Sequence, residues 1–164
     1  MELETWQAPP GDRIPNHPRY PVLVYHGVDA VATGAGAAKA LFAEHGWRGA
    51  WIDGVYDFHH FHSTSHEVLA VVAGGATLEL GGPQGKAFDV VAGDVIVLPA
   101  GTGHRRASPR DGFMVVGAYP EGQENYDLVR GDDTAEVAAA RERIAALGPP
   151  PQDPVGGDGI AGWR

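Results

Sequence analysis

The middle of the chain, from Trp51 to Ala118, consists of short β-rich segments separated by turn signals. The segments cover residues 51–61, 66–73, 76–80, 87–91, 95–98, 103–108 and 113–118. Many short strands at this spacing are typical of an antiparallel sandwich or barrel, so we expect an all-β core. The pair Gly74-Gly75 predicts a two-residue hairpin between two of these strands.

The two ends of the chain differ from this core. Residues 1–19 contain Pro9, Pro10, Pro15 and Pro18, which predicts an extended arm without a regular element. Apolar residues at helical spacing predict a helix at about 35–46 within the barrel region, 20–130. A second helix and a Pro/Gly-rich tail are expected in residues 131–164, with Asp133 and Glu136 as a capping box. The tail could be disordered, or it could pack Ile160 and Trp163 against a partner.

Composition excludes several classes of function. The formal net charge is −9, and such a surface repels phosphate backbones and anionic lipid, so neither nucleic acid nor membrane is an expected partner. Cysteine is absent, which removes disulfides, thiolate metal sites and cysteine nucleophiles. The first residues carry no signal-peptide pattern, and no apolar run reaches the length of a membrane span. We expect a cytoplasmic protein.

Four of the eight histidines fall within residues 59–66, directly before Glu67. Side chains two residues apart on a strand share a face, so His60 and His62 point together, with Cα atoms roughly 6.6 Å apart. A turn through the polar residues 63–65 lets the next strand bring Glu67 to the same pocket. Imidazole and carboxylate suit one divalent transition metal such as Zn, Mn, Fe, Ni or Co. The alternative is that these histidines belong to a polar surface strand that binds no metal.

Two motifs resemble those of the cupin superfamily. The first is Gly54-x5-His60-x-His62-x4-Glu67-x6-Gly74, and the second is Gly93-x5-Pro99-x-Gly101-x2-His104, with 18 residues between them. The second motif usually closes with Asn where this chain has Ser108, a position that is not a metal ligand in the family. The segments HHFHSTSHEV, VAGDVIVLPAGTGH and DPVGG are most similar to the YjlB-like cupin subgroup.

The resemblance implies a fold and a ligand set. The fold is a double-stranded β-helix (jelly-roll) barrel with flanking helices and the metal inside. The implied ligands are His60, His62, Glu67 and His104. An exchange in which His66 binds instead of Glu67 is an open alternative, and His59 is expected on the outside of the barrel.

Two further residues are candidate substrate contacts. Arg106 lies two residues after His104 and shares its face, so it could enter the cavity and pair with an anionic substrate. Tyr56 lies four residues before His60, so the same alternation predicts that its side chain also points into the barrel. The alternatives are a solvent-facing Arg106 at the barrel mouth and a Tyr56 that only packs.

The resemblance leaves two classes of function. One is a small-molecule metalloenzyme of dioxygenase or isomerase type that uses the three-His, one-Glu site. The other is a non-catalytic module that binds an organic acid or sugar through the metal. Because residues 68–72 are apolar on both faces, they need cover outside the barrel, either from the helices or from a second subunit. The resemblance favours a homodimer.

Overall fold

The computed structural model describes all 164 residues, and antiparallel strands dominate it. Seven strands and three helices follow one another along the chain: β1 (Glu2–Trp6), β2 (Val22–His26), α1 (Asp29–Thr33), α2 (Ala35–Glu44), β3 (Trp47–Asp53), β4 (Glu67–Leu80), β5 (Lys86–Val91), β6 (Val95–Leu98), β7 (His104–Pro120) and α3 (Thr134–Ala146). The strand order is β1-β2-β6-β4-β7-β3, with β5 paired to β4. This is the expected all-β jelly-roll barrel with flanking helices. None of the helices is long and apolar enough to cross a membrane.

Strand β4 is apolar on both faces, and each face is buried against different residues. Val68 and Ala70 belong to a cluster of 16 buried residues that includes Phe42 of α2 and Trp163 near the C-terminus. Leu69 belongs to a second cluster, of 13 buried residues, on the face that the barrel encloses. The helices and the tail therefore supply the outer cover that a strand with two apolar faces requires.

The predicted hairpin at Gly74-Gly75 is wrong, because β4 continues through both glycines. Gly74 has a φ of +60°, and a Cβ there would lie 2.3 Å from the carbonyl oxygen of Arg110 on β7. The register between β4 and β7 shifts at this point. The glycine therefore allows a bulged strand to approach its neighbour closely instead of turning the chain.

The first residues form a strand, contrary to the expectation of an arm without regular structure. Strand β1 pairs antiparallel with β2, from Glu2 opposite His26 to Trp6 opposite Val22. All four prolines of the segment follow Gln7. They end the strand rather than prevent it.

The C-terminal part packs on the barrel of its own chain. Helix α3 begins at an N-cap, Asp133, whose side chain accepts a hydrogen bond from the Ala135 amide at 2.9 Å. In the tail, the Trp163 ring stacks on Tyr20 with centroids 5.1 Å apart, and its Nε1 donates to the Pro21 carbonyl at 2.8 Å. The aromatic end of the tail is thus buried within the monomer, and neither disorder nor a partner is needed to account for it.

Candidate metal centre

The segment between β3 and β4 brings two histidines to the start of β7. His60 and His104 form an isolated antiparallel bridge, in which the His104 amide donates to the His60 carbonyl at 2.9 Å. Phe61 pairs in the same way with Val129. The sequence predicts a continuous strand here, and the structure has only these bridges. The alternation is nevertheless retained, because Phe61 is buried in a separate cluster under α3 while His60 and His62 face the barrel interior.

The three histidines His60, His62 and His104 form a buried cluster that could bind a metal ion. One ring nitrogen from each lies within 4.8 Å of the other two. The residues are only 3%, 6% and 3% exposed. Glu67, the first residue of β4, is also buried, and its Oε1 lies 3.5 Å from His62 Nε2 and 3.2 Å from His104 Nε2.

The other nitrogen of each imidazole is held by a backbone carbonyl. His60 Nδ1 donates to the Phe58 carbonyl at 2.9 Å, and His104 Nδ1 donates to that of Thr102 at 3.0 Å. His62 Nδ1 donates to the Asp127 carbonyl. Because a carbonyl can only accept, Nδ1 carries the proton and Nε2 of a neutral ring is left as the ligand atom. This arrangement orients imidazoles in known metal sites and fits a metal here.

Charge interactions in the cluster favour a cation between the side chains. Burial and the neighbouring His104 lower the pKa of His60 to about 3, so this ring is neutral. Burial by itself would raise the pKa of Glu67, but His62 and His104 lower it well below its usual range. Burial also acts to lower the pKa of His62, yet the Glu67 carboxylate raises it overall. Glu67 Oε1 has no hydrogen-bond partner, and a buried carboxylate oxygen of this kind needs a positive charge beside it.

Asp127 supports His62, and the sequence reasoning did not identify it. Its carboxylate accepts hydrogen bonds from the Ser63 amide at 2.7 Å and the Ser63 hydroxyl at 2.5 Å. The Thr64 amide donates to it at 3.2 Å, and Arg143 of α3 donates to the Ser63 hydroxyl at 2.8 Å. Although burial opposes it, the hydrogen bonds from Ser63 and Thr64 lower the pKa of Asp127. The polar Ser-Thr-Ser stretch signalled a turn, but nothing local indicated an acceptor 64 residues further on.

Two tyrosines complete the wall of the site and were also missed. Tyr119, near the end of β7, is buried, and its hydroxyl accepts a hydrogen bond from Trp51 Nε1 at 2.7 Å. Tyr126 stacks on it with ring centroids 4.4 Å apart, and its own centroid lies 5.0 Å from that of His62. Trp51 and the two tyrosines thus form an aromatic wall beside the histidines.

Two connected cavities lead to the cluster. The inner chamber, about 70 Å³, is lined by the three histidines, Glu67, the aromatic wall, Tyr56 and aliphatic side chains. The outer cavity, about 570 Å³, opens to solvent and shares Trp51, Val55 and Tyr126 with the inner one. The outer cavity therefore adjoins the inner chamber and offers a route to the histidines.

Both candidate substrate contacts lie at this entrance. Tyr56 is 58% exposed, stacks on Phe58 with centroids 4.8 Å apart, and places its ring edge-on to His60 at 5.4 Å. It therefore lies at the mouth of the cavity, whereas the strand alternation predicted a position deep inside. Arg106 lines the outer cavity.

The remaining histidines of the window face away from the cluster. His66 is fully buried; its Nδ1 accepts from the Ala100 amide and its Nε2 donates to the Gly148 carbonyl, both at 2.9 Å. Both nitrogens are used, so the structure does not favour an exchange of His66 for Glu67. His59 Nε2 lies 3.5 Å from Glu79 on the outside of the barrel.

Comparison with solved structures gives distant similarities. A structure of PAC13, described as a unique nucleoside dehydratase, is 20% identical with a TM-score of 0.36, covering 82% of this chain and 91% of that one. A Streptomyces PAC13 variant with uridine gives the same identity and TM-score over 74% of this chain and 91% of that one. Streptomyces albus HEPD with 2-hydroxyethylphosphonate and Fe(II) is 14% identical with a TM-score of 0.27. That match covers 88% of this chain but only 27% of HEPD.

Comparison of sequences gives a nearer relative. Residues 53–116 match the cupin domain family, Cupin_2. The uncharacterized protein YjlB of Bacillus subtilis (strain 168) is 38% identical over 157 residues, which are 95% of this chain and 92% of YjlB. The matched region holds both motifs up to His104 and the clustered histidines, and the chain belongs to the cupin family, as a relative of YjlB.

Proposed function

We propose that this protein binds one divalent transition-metal ion through His60, His62, Glu67 and His104 and uses it to act on a small molecule. The observation that carries the proposal is the buried cluster of one ring nitrogen from each of the three histidines, with Glu67 Oε1 3.5 Å and 3.2 Å from Nε2 of His62 and His104. The carbonyl groups that hold each Nδ1 support it further, since they fix the ligand nitrogen in advance. Zn, Mn, Fe, Ni and Co all suit this donor set.

The proposed activity is that of a metalloenzyme of dioxygenase or isomerase type. Such an ion, when bound, supplies Lewis acidity and, if it is redox-active, chemistry with dioxygen. The protein itself limits access to the inner chamber, because Leu69 and the aromatic wall exclude bulk water from one side. Tyr56 and Arg106 at the mouth are the proposed substrate contacts.

The second candidate is a non-catalytic module that binds an organic acid or sugar in the same pocket. The lining of the inner chamber favours it: apart from the proposed ligands, the titratable side chains there are the phenols of Tyr56, Tyr119 and Tyr126. Proton transfer in a metalloenzyme would therefore fall to the ligands, to these phenols or to water. Incubation of Fe-loaded and Mn-loaded protein with a panel of organic acids and sugars discriminates the two. Turnover supports the enzyme, and binding without turnover supports the module.

The ligand set is tested by the metal content of His62→Ala protein. We expect the wild type to carry about one ion per chain and the variant to lose most of it, since one of four ligands and its carbonyl-held ring are gone. Elemental analysis after dialysis against trace metal measures the content. The matched control is His59→Ala, because His59 lies in the same segment but faces Glu79 outside the barrel.

Retention of one tightly bound ion by His62→Ala contradicts the ligand set. Loss of the ion from His59→Ala to the same extent would also contradict it, because general damage to the segment would then explain the result. Circular dichroism of both variants checks that the barrel is folded.

A further inference from the structure

The pairing of β4 with β7 places two adjacent arginines, Arg105 and Arg106, on opposite faces of the barrel wall. Arg106 is opposite Leu78, which belongs to the enclosed apolar cluster. Arg105 is opposite Glu79, and its Nε donates to that carboxylate at 2.9 Å. Since His104 is opposite Leu80, the register puts Arg106 on the same face as the histidine cluster.

Arg106 differs from its neighbour in having an unsatisfied donor. Its Nε is buried and has no hydrogen-bond partner, whereas Arg105 also donates from Nη1 to the Asp57 carbonyl at 3.0 Å. A buried guanidinium N–H without an acceptor is unfavourable, and the fork of N–H groups at the end of the same side chain can pair with a carboxylate oxygen. The side chain lines the outer cavity, where such an oxygen could arrive from solvent.

The charge of the cavity limits which anion fits. Arg106 is its cationic lining residue, and Asp53 and Asp57 line the same space. The Asp53 carboxylate accepts from the Gly54 amide at 2.7 Å. One negative group can pair with Arg106, but a second one in the same cavity would be repelled by these two carboxylates.

We propose that Arg106 binds the carboxylate of a small monocarboxylic acid whose other end reaches the inner chamber. The inference rests on the proposed function, because it takes the chamber beside the four proposed ligands as the substrate site. His104 and Arg106 are two residues apart on β7, so their Cα atoms are separated by roughly 7 Å. An acid of a few carbon atoms spans such a distance. The narrow inner chamber suits its smaller, uncharged end.

The test measures the binding of acetate, lactate, pyruvate and benzoate by calorimetry at fixed ionic strength, with lactamide as the uncharged counterpart of lactate. We expect the wild type to bind at least one of these acids and to prefer lactate to lactamide. The variant Arg106→Gln loses about tenfold or more of the affinity for the acid, because a charge-assisted hydrogen bond is gone. Arg105→Gln removes the same charge one residue away and keeps the affinity within about twofold.

The inference would be overturned by unchanged acid binding of Arg106→Gln, by an equal loss in Arg105→Gln, or by no binding of any acid by the wild type. Equal affinities of the wild type for lactate and lactamide would also contradict it, and that comparison needs no variant. The metal content of each sample is measured separately, with and without chelator. Protein that binds acid through Arg106 but no metal would refute the proposed function and leave this inference standing.

Discussion

Asp127 influences the site through His62 and the loop that carries it, without lining either cavity. We expect Asp127→Asn to weaken metal binding by about tenfold, because an amide cannot accept every donor from Ser63 and Thr64. The free energy of unfolding should fall by about 1–3 kcal/mol for the same reason. Titration against a chromogenic chelator measures the first quantity, and urea denaturation of the metal-free protein measures the second.

The matched control for this substitution is Asp132→Asn. Asp132 forms an ion pair with Arg13 on the surface, where its side chain is 71% exposed, and such pairs contribute little. Both variants lose one carboxylate from neighbouring parts of the chain. Equal metal affinity in the two variants would mean that Asp127 does not position His62.

His17 should make stability depend on pH. Burial, with a smaller effect of His66, lowers the pKa of His17 from 6.5 to about 4. Its Nδ1 accepts from the amides of Arg19 and Tyr20 at 3.0 and 2.8 Å, which requires an unprotonated Nδ1. Because the pKa is lower in the folded state, the contribution to stability is complete above pH 6.5. It is lost as the pH falls from there towards 4.

The variant His17→Asn tests this contribution, since an amide oxygen can accept from the same two N–H groups without titrating. Between pH 6.5 and 4, the wild type should lose about 1–3 kcal/mol more stability than the variant. Urea denaturation across this range, in the presence of a chelator, measures the difference. Parallel pH profiles for the two proteins would contradict the expectation.

At the scale of elements, the sequence predicted which segments are strands better than how they connect. A β-rich run between turn signals is a local pattern, and it identified the segments of β4, β5, β6 and β7 as strands. Whether the glycines at 74 and 75 turn the chain or let β4 pass close to β7 depends on a backbone about 35 residues away. Strand β1 was not predicted, because it is only five residues long and precedes a run of prolines.

The difference between local signals and long-range contacts also separates the site residues that could be predicted from those that could not. His60 and His62 could be grouped from their spacing alone, and the motifs supplied Glu67 and His104. Asp127, Tyr119 and Tyr126 could not be found in this way. Their roles arise from contacts with residues 64, 68 and 64 positions away, respectively, and no local pattern specifies such partners.

For the whole molecule, the structure changes the argument about a second subunit. The two apolar faces of β4 required cover on both sides, and a homodimer was one source of it. Helix α2 and the tail, through Phe42 and Trp163, supply that cover within one chain. The homodimer therefore remains a prediction from family resemblance, and the burial of β4 gives it no further support.

The two large apolar clusters, of 16 and 13 buried residues, contain none of the proposed metal ligands. We therefore expect the barrel to stay folded when the ion is removed, unlike small domains whose folding depends on a metal. Chelator-treated protein should retain its far-ultraviolet circular dichroism and a single cooperative unfolding transition. Added metal should raise the free energy of unfolding by about 2.7 kcal/mol at a concentration 100 times the Kd.

His62→Ala provides the control, because added metal should stabilise it far less than it stabilises the wild type. An equal gain for both proteins would point to an ion bound elsewhere on the surface. Loss of cooperative unfolding on chelation would mean that the apolar clusters cannot hold the barrel closed. The ion would then be a structural element, and the wall that carries the histidines would depend on it. Retained cooperativity with a metal-dependent gain only in the wild type fits a preformed site, in which folding has already fixed Nδ1 of each histidine and left Nε2 free for the ion.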